Sequence, residues 1–322
     1  MSSSQNDRPK TNQKHKIPRQ IQQITEKYTN QCHNIPINQN DQQIQQSQPK
    51  KIIAYNVNGL RASIEKKNLE LYIKQSNADI IFIGETKIGQ NTITQYVQQK
   101  QFVDSYINQE YYYLFSSSVA KQGYAGTAAF IRKSVNIINF QTYFATLGND
   151  CIINTEGRLI RLELQNLVIY HVYSPQRVPD SEGTFNGRIK IEEKIRFQVK
   201  SETKPVIYCG DLNICLSELD LFDWKKHLQQ LGISEEMRSI LLDKVCLQLM
   251  KENQLVDCFR TLHPQLVKYS WFKNSKLREL NKGWRIDYFL VSQQLVPQIS
   301  ECDIDYESQI NMDHLPIILI LL

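Results

Sequence analysis

The 322-residue chain is 41% hydrophobic and 22% charged, which suits a globular protein of one large α/β domain or two smaller ones. Its formal charge of +5 is unevenly placed, because residues 1–50 hold seven Lys/Arg against three acids and leave only +1 for the rest. A nucleic-acid partner therefore cannot be argued from net charge, only from a local basic groove; the absence of any run near ~20 apolar residues argues against a membrane span.

Residues 1–49 are dominated by Gln, Asn, Ser and Lys with no periodic apolar face, and read as a disordered basic tail. The folded domain is expected over 50–322. From residue 51 apolar strand-like runs follow one another, and almost every run has a hydrophilic side chain at one end. Ile52-Ile53-Ala54-Tyr55 leads to Asn56 and Asn58, Ile80-Ile81-Phe82-Ile83 to Glu85, and Val168-Ile169-Tyr170-His171-Val172 to Tyr173. Val206-Ile207-Tyr208-Cys209 leads to Asp211 and Asn213, Asp287 precedes Tyr288-Phe289-Leu290-Val291, and Asp313-His314 precede the last run. Continuous apolar runs are strands buried on both faces, and strand ends are where ligand-handling groups collect. Helices are expected over 65–76, over roughly 187–200, and from Ser234, an N-cap followed by Glu235 and Glu236. Hairpin-like stretches at 109–132 and 159–172 rule out a simple βαβ series. The fold class expected is α/β, with two mixed β-sheets packed face to face and helices outside.

Seven cysteines, without a C-x-x-C pair, make neither a disulfide framework nor a zinc site. Cys151, Cys209, Cys215, Cys246 and Cys258 lie in apolar surroundings and read as buried thiols. A reducing compartment follows, nucleus or cytosol, with the mitochondrion second. No signal-peptide core opens the chain.

The polar strand ends combine into one chemistry. Glu85, Asn58 and Asp313 are hard oxygen ligands, few enough to suit Mg²⁺, with Mn²⁺ as the alternative. Asp211 would orient or deprotonate a water. His314 beside Asp287 forms an Asp–His pair, and its imidazolium would stabilise charge developing on a phosphate oxygen. Metal, water, base and cation together describe phosphodiester hydrolysis. Each element has an ordinary alternative: Asx turns at Asn56/Asn58 and Asp211/Asn213, an ion pair between Arg285 and Asp287, a rim position for Tyr173, and core packing for Trp271 and Trp284.

The motifs Asn56-Val57-Asn58-Gly59-Leu60-Arg61-Ala62, Glu85-Thr86-Lys87, Gly123-Tyr124-Ala125-Gly126 and Glu156-Gly157-Arg158 occur in that order. Tyr173-Ser174-Pro175-Gln176, Gly210-Asp211-Leu212-Asn213, Gly283-Trp284-Arg285-Ile286-Asp287-Tyr288 and Asp313-His314 follow. Over 51–322 the chain resembles the exonuclease III family of apurinic/apyrimidinic (AP) endonucleases, within the endonuclease/exonuclease/phosphatase superfamily. The resemblance implies a four-layered α/β sandwich and Mg²⁺-dependent cleavage of duplex DNA 5′ to an abasic site, with 3′-end cleaning and 3′→5′ exonuclease action as related activities. It makes Glu85 the chief metal ligand, with Asn58 and Asp313 assisting and Asp211 and Asn213 as further candidates. Asn56, Asn213, His314 and Tyr173 would face the scissile phosphate. Gln176, Arg177 and Arg158 would contact substrate, and Trp271 and Trp284 would wall a pocket for the flipped-out sugar. A missing base removes much of the cost of extrusion, which is a physical source of selectivity.

Departures from the family pattern are Gly84 before Glu-Thr-Lys, Met312 before Asp-His, Ile153-Asn154-Thr155 before Glu-Gly-Arg, and the segment 221–232. They imply changed efficiency or substrate balance with the chemistry retained. A monomer in the nucleus, acting on abasic duplex DNA with no membrane partner, is the expectation. The competing readings are a superfamily phosphodiesterase or phosphatase acting on RNA or phosphoinositides, and a catalytically weakened DNA-binding module.

Overall fold

The computed structural model describes residues 48–65, 68–89, 105–149, 151–176, 182–231, 246–308 and 312–322, with Ile35, Ser234 and Glu235. Twelve strands among these residues form two sheets of six. The first runs β11 (Ile299–Ile304), β12 (Ile317–Leu321), β1 (Lys51–Asn56), β2 (Ile80–Gly84), β4 (Thr127–Arg132) and β3 (Tyr111–Ser116). The second runs β5 (Asn139–Gln141), β6 (Leu159–Glu163), β7 (Val168–Tyr173), β8 (Val206–Asp211), β10 (Asp287–Ser292) and β9 (Leu255–Asp257). Each sheet has one parallel pair at its centre, β1 with β2 and β7 with β8, and antiparallel neighbours elsewhere. This is the expected α/β sandwich of mixed sheets.

Strand runs are continuously apolar because both faces are covered. Ile52, Ala54, Ile80, Phe82, Ile169, Ile207, Cys209, Phe289, Val291, Ile317 and Leu319 face the space between the sheets. Their alternates Ile53, Tyr55, Ile81, Ile83 and Ile318 face the outer layer on the first sheet. Val168, Tyr170, Val172, Val206, Tyr208, Tyr288 and Leu290 do the same on the second. Period-2 alternation of strands then assigns the polar ends. Asn56, Gly84, Tyr173, Asp211 and Asp287 continue the inward series, so they point between the sheets where the sandwich opens. Antiparallel pairing brings the start of β10 beside the end of β8, with Asp287 opposite Asp211. The same geometry brings the approach to β12 beside the end of β1.

Helix α1 (Leu60–Glu65) ends where the helix predicted over 65–76 begins, and the described part of that prediction beyond residue 67 is helix α2 (Asn68–Ser76). Leu69, Tyr72 and Ile73 of α2, spaced three and four apart, bury against the outer face of the first sheet. Helix α3 (Glu182–Lys200) begins earlier than predicted and lays Ile191, Ile195 and Val199 on the outer face of the second sheet. Each such side chain contributes about 1.5–3 kcal/mol by leaving water. The helix predicted from Ser234 lies outside the described residues beyond Glu235.

Ile35, placed by composition in the disordered tail, is 6% exposed and packs in the inter-sheet cluster. Cys209, Cys246 and Cys258 are buried as expected, whereas Cys151 and Cys215 are only partly so. Both sit in loops rather than on a strand's inward face. No helix among the described residues is long and apolar enough to cross a membrane.

Candidate active site

Asn56, at the end of β1, donates from Nδ2 to Asp211 Oδ2 at 2.9 Å and to Glu85 Oε2 at 3.2 Å, so one amide joins three strand ends from two sheets. Its Oδ1 accepts from the Asn58 amide at 2.9 Å, and Asp211 Oδ1 likewise accepts from the Asn213 amide at 2.8 Å. Both local turns anticipated as ordinary alternatives are therefore present. They use one oxygen of each side chain and leave the other atom facing the cleft.

His314 Nδ1 lies 2.9 Å from Asp287 Oδ2, and Nε2 lies 3.8 Å from Asp211 Oδ2. Ser270 Oγ donates to Asp287 Oδ2 at 2.6 Å while accepting the Ile286 and Asp287 amides, both at 3.1 Å. The carboxylate is thus held from behind and fixes which imidazole nitrogen faces it. Burial would push the His314 imidazole down, but the Asp287 charge, assisted by Asp211 and Asp313, overrides it and raises it to about 10. Burial and the Asp287 charge push Asp211 up to about 7, opposed by His314, Asn56 and the Asn213 amide. Asp287 does not pair with Arg285. That guanidinium binds Asp220 at 2.7 Å and Asp257 at 2.6 Å, which leaves Asp287 to the histidine.

Glu85, Asn58 and Asp313 form a second oxygen-rich group alongside. Asn58 Nδ2 donates to Asp313 Oδ2 at 3.1 Å, and Lys87 Nζ bridges Glu85 Oε1 at 3.2 Å and Asn58 Oδ1. Asp313 Oδ1 is buried without a hydrogen-bond partner, and Trp271 Nε1 donates to its other oxygen at 3.3 Å. An orphaned carboxylate oxygen among oxygen donors already attracting an ammonium fits a hard divalent cation. Asp211, Asp287 and His314 also offer donor atoms within 4.8 Å of one another, so a metal could be held on either side of Asp211.

The loops that carry the cluster are held in an unusual backbone. Asn58, Glu85, Lys87 and Asn213 all take left-handed φ values between 45° and 54°, costly for Glu and Lys. Backbone bonds impose it: Gly59 N to Glu85 O at 2.9 Å, Thr86 N to Gly126 O at 2.9 Å, and Lys87 N to Ala125 O at 2.8 Å. A Cβ on Gly126 would lie 2.5 Å from Thr86 Oγ1, which explains the glycine in that motif. Gly126 N in turn reaches Glu156 O at 3.0 Å, tying in the Glu-Gly-Arg segment.

Arg158, expected to touch substrate, is 1% exposed. Its guanidinium meets Glu156 at 2.6 Å, Tyr173 O at 3.0 Å and Tyr124 Oη at 3.2 Å, with the Tyr173 ring centroid 4.6 Å away. It supports Tyr173 from beneath. Burial, with the Glu85 and Asp211 charges, keeps the Tyr173 phenol protonated by raising its pKa. Asn213 Nδ2 donates to Ser174 O at 2.9 Å. Gln176 is exposed at the cleft rim, and Arg177 lies outside the described residues.

Trp271 and Trp284 pair through backbone bonds of 2.8 and 2.9 Å, with ring centroids 4.8 Å apart. Both are partly exposed while Phe272 is 2% exposed, so the core takes the phenylalanine and the cleft takes the indoles. Leu221 bridges Trp284, and Trp224 and Leu228 pack behind it.

Two of the departures find local explanations. Asn154 stitches Phe144 N, Phe144 O and Gly148 O, each at 2.9 Å. Met312 packs on the outer cluster of the first sheet. At Gly84 an added Cβ would meet Asn56 Cα at 3.6 Å and His171 Nε2 at 3.9 Å, ordinary contacts, so space alone does not require that glycine. Sequence reasoning assigned no role to Lys87, Ser270, Arg188 or Glu192. Lys87, in Glu85-Thr86-Lys87, and Ser270, in Tyr269-Ser270-Trp271-Phe272, lie inside motifs of the resemblance, whereas Arg188 and Glu192 do not.

A pattern common to the endonuclease/exonuclease/phosphatase family matches residues 53–308. An exodeoxyribonuclease of Bacillus subtilis is 33% identical, covering 84% of this chain and 99% of that protein. A DNA-(apurinic or apyrimidinic site) endonuclease of Dictyostelium discoideum is 31% identical over 83% of this chain and 69% of its own length. The structure of an AP endonuclease from Archaeoglobus fulgidus superposes with a TM-score of 0.66 at 22% identity, over 84% of this chain and 99% of that one. With strand ends, polar cluster and sandwich agreeing with the match over most of its length, the chain belongs to the endonuclease/exonuclease/phosphatase family.

Proposed function

We propose that the protein is a DNA-repair nuclease that hydrolyses the phosphodiester 5′ to an abasic site in duplex DNA, using a divalent cation, Mg²⁺ first and Mn²⁺ second. The observation that carries this reading is the convergence of Asn56 and His314 on one oxygen of Asp211, with Glu85, Asn58 and Asp313 beside it. Exodeoxyribonuclease and AP endonuclease relatives of about 30% identity support the substrate class.

Asp211 holds the attacking water and takes its proton. Its pKa, about 7, is well matched to that exchange at neutral pH. His314, kept cationic by Asp287, offers Nε2–H to the phosphate oxygen that gains charge, and Asn56 and Asn213 orient the same group. The neutral Tyr173 hydroxyl borders the same space and helps place the water. Glu85, Asn58 and Asp313 would hold the cation, with Asp211 and Asn213 next in reach, and the cation would supply charge stabilisation at the phosphate. Gln176 lies at the rim for the DNA backbone. The partly exposed Trp271–Trp284 wall offers an apolar surface to a base-less sugar. Trimming of 3′ ends uses the same groups on a frayed terminus, and the nucleus is the compartment where this substrate is found.

The test is a gel assay on a duplex with one tetrahydrofuran abasic analogue, with Mg²⁺ and with chelator. Nicking 5′ to the analogue that stops with chelator is expected. An intact abasic duplex together with turnover of poly(A) or an inositol phosphate would overturn the proposal.

A further inference from the structure

We propose that Arg188 and Glu192, one turn apart on α3, are positioning residues that lock the Tyr173–Gln176 turn to the Asp211–Asn213 loop. The inference rests on the nuclease reading of Asp211. Strands β7 and β8 run parallel, and their pairing ends with Tyr173 opposite Asp211. One further rung follows, from Ser174 N to Asp211 O at 2.9 Å. Beyond it, among the described residues, side chains and no further backbone rung join the two chains, Asn213 Nδ2 reaching Ser174 O at 2.9 Å.

Arg188 takes over at that point. Nη2 donates to Leu212 O at 2.8 Å and Nη1 donates to Pro175 O, so one planar guanidinium grips a carbonyl from each loop. Nε donates to Glu192 Oε1 at 2.7 Å, and Ser174 Oγ lies 3.5 Å from the same oxygen. Arg188 and Glu192 are 7% and 4% exposed. All three guanidinium nitrogens have protein partners, so Arg188 is not placed to meet a DNA phosphate. Only a planar fork reaches two carbonyls and a carboxylate together, and a lysine cannot reproduce it.

The consequence is mechanical. Leu212 separates the water-handling Asp211 from Asn213, and Pro175 stands between the Tyr173 hydroxyl and the rim residue Gln176. Gripping both carbonyls sets the distance between the group that activates water and the turn that meets the DNA backbone. A shift of about 1 Å in such a distance costs on the order of 100-fold in rate, with little effect on how tightly the duplex binds.

The experiment measures single-turnover cleavage of the tetrahydrofuran duplex at saturating enzyme with Mg²⁺. Duplex Kd in chelator and thermal unfolding are measured alongside. Arg188→Lys is expected to lower the saturated rate by about 10- to 100-fold with Kd within about threefold of wild type. Glu192→Gln keeps an acceptor for Nε and is expected to lose less than about tenfold, again in rate and not in Kd. It also carries the test if the lysine variant does not fold. Rates within about twofold of wild type in the folded variants, or losses in Kd alone, would overturn the inference. A wild-type protein that leaves the duplex whole refutes the nuclease reading and this inference with it. An active wild type with unchanged variants refutes this inference alone.

Discussion

His171 makes a quantitative test of how the sandwich supports its active end. The ring lies on the inward face of β7, stacked on Phe82 with centroids 4.9 Å apart and planes 17° from parallel. A Cβ on Gly210 would come within 2.9 Å of its Nδ1 and one on Gly84 within 3.9 Å of its Nε2, so it sits beneath the residues preceding Asp211 and Glu85. Burial pushes the imidazole down to about 3 from an ordinary 6.5, against a smaller opposing effect of the Ile83 and Cys209 backbone. The unfolded chain accepts a proton near pH 6.5 and the folded chain does not until near pH 3. The neutral ring's contribution is therefore complete above pH 6.5 and is lost as the pH falls. Between these values the loss is about 1.4 kcal/mol per pH unit, hence about 2 kcal/mol between pH 7 and pH 5. His171→Gln removes the titration with little change in volume. Urea unfolding followed by tryptophan fluorescence at both pH values should show wild type losing about 2 kcal/mol more than the variant. Asp211 and His314 titrate in both proteins and largely cancel in the comparison. Parallel losses in the two proteins would refute the reasoning.

Four further outcomes follow from the site. Asp211→Asn should lower the single-turnover rate on abasic duplex by about a thousandfold or more while duplex affinity in chelator holds; equal cutting by both proteins would exclude Asp211 from handling the water. Glu85→Gln should weaken Mn²⁺ binding, read by electron paramagnetic resonance of the free ion, and lower the Mg²⁺-dependent rate to a similar degree. Asp287→Asn leaves His314 without its charged partner, so its pKa falls and the rate should decline as pH rises above neutrality, where the wild-type rate climbs to a plateau as Asp211 loses its proton and His314 keeps its own. Ser270→Ala, which only loosens Asp287, should retain the wild-type pH profile with a rate loss of about tenfold or less.

What the sequence revealed, and what it concealed, follows from range. Glu85, Asp211 and His314 are legible because each follows or precedes an apolar run, whereas His171, inside the run of β7, gave no such signal. The ordinary turn readings of Asn56 and Asp211 are met by two Asx turns, and these use other atoms of the side chains than the contact between Asn56 and Asp211 does. Arg158 misled for a physical reason. A cation in a motif of a DNA-cutting family suggests a phosphate contact, yet here Glu156 and two tyrosines enclose it under the cleft. Arg188 and Glu192 read as an unremarked i,i+4 pair of a helix surface. Nothing local says that this stretch of α3 faces two loops, one of them 24 residues away at Leu212. The Arg285 pairing with Asp220 spans 65 residues and was equally beyond local pattern.

Inward parity also explains why the site needs both sheets. Asn56 belongs to the first sheet, and Tyr173, Asp211 and Asp287 belong to the second, each as the terminal member of an inward-facing series. If either sheet slipped by one residue against its helices, its members would turn outward into the helical layer. Hydrophobic alternation therefore fixes the register of the polar cluster, because Ile207 and Cys209 can face the opposite sheet only if Asp211 faces the cleft. The glycines at 84 and 210 belong to the same arrangement. Gly84 faces His171 at ordinary contact distance, while Gly210, at φ +124°, lets β8 close on Val172 O, where a Cβ would lie 2.1 Å away. The core and the site are thus one packing solution, and a substitution at His171 reaches Asp211 and Glu85 through backbone they share.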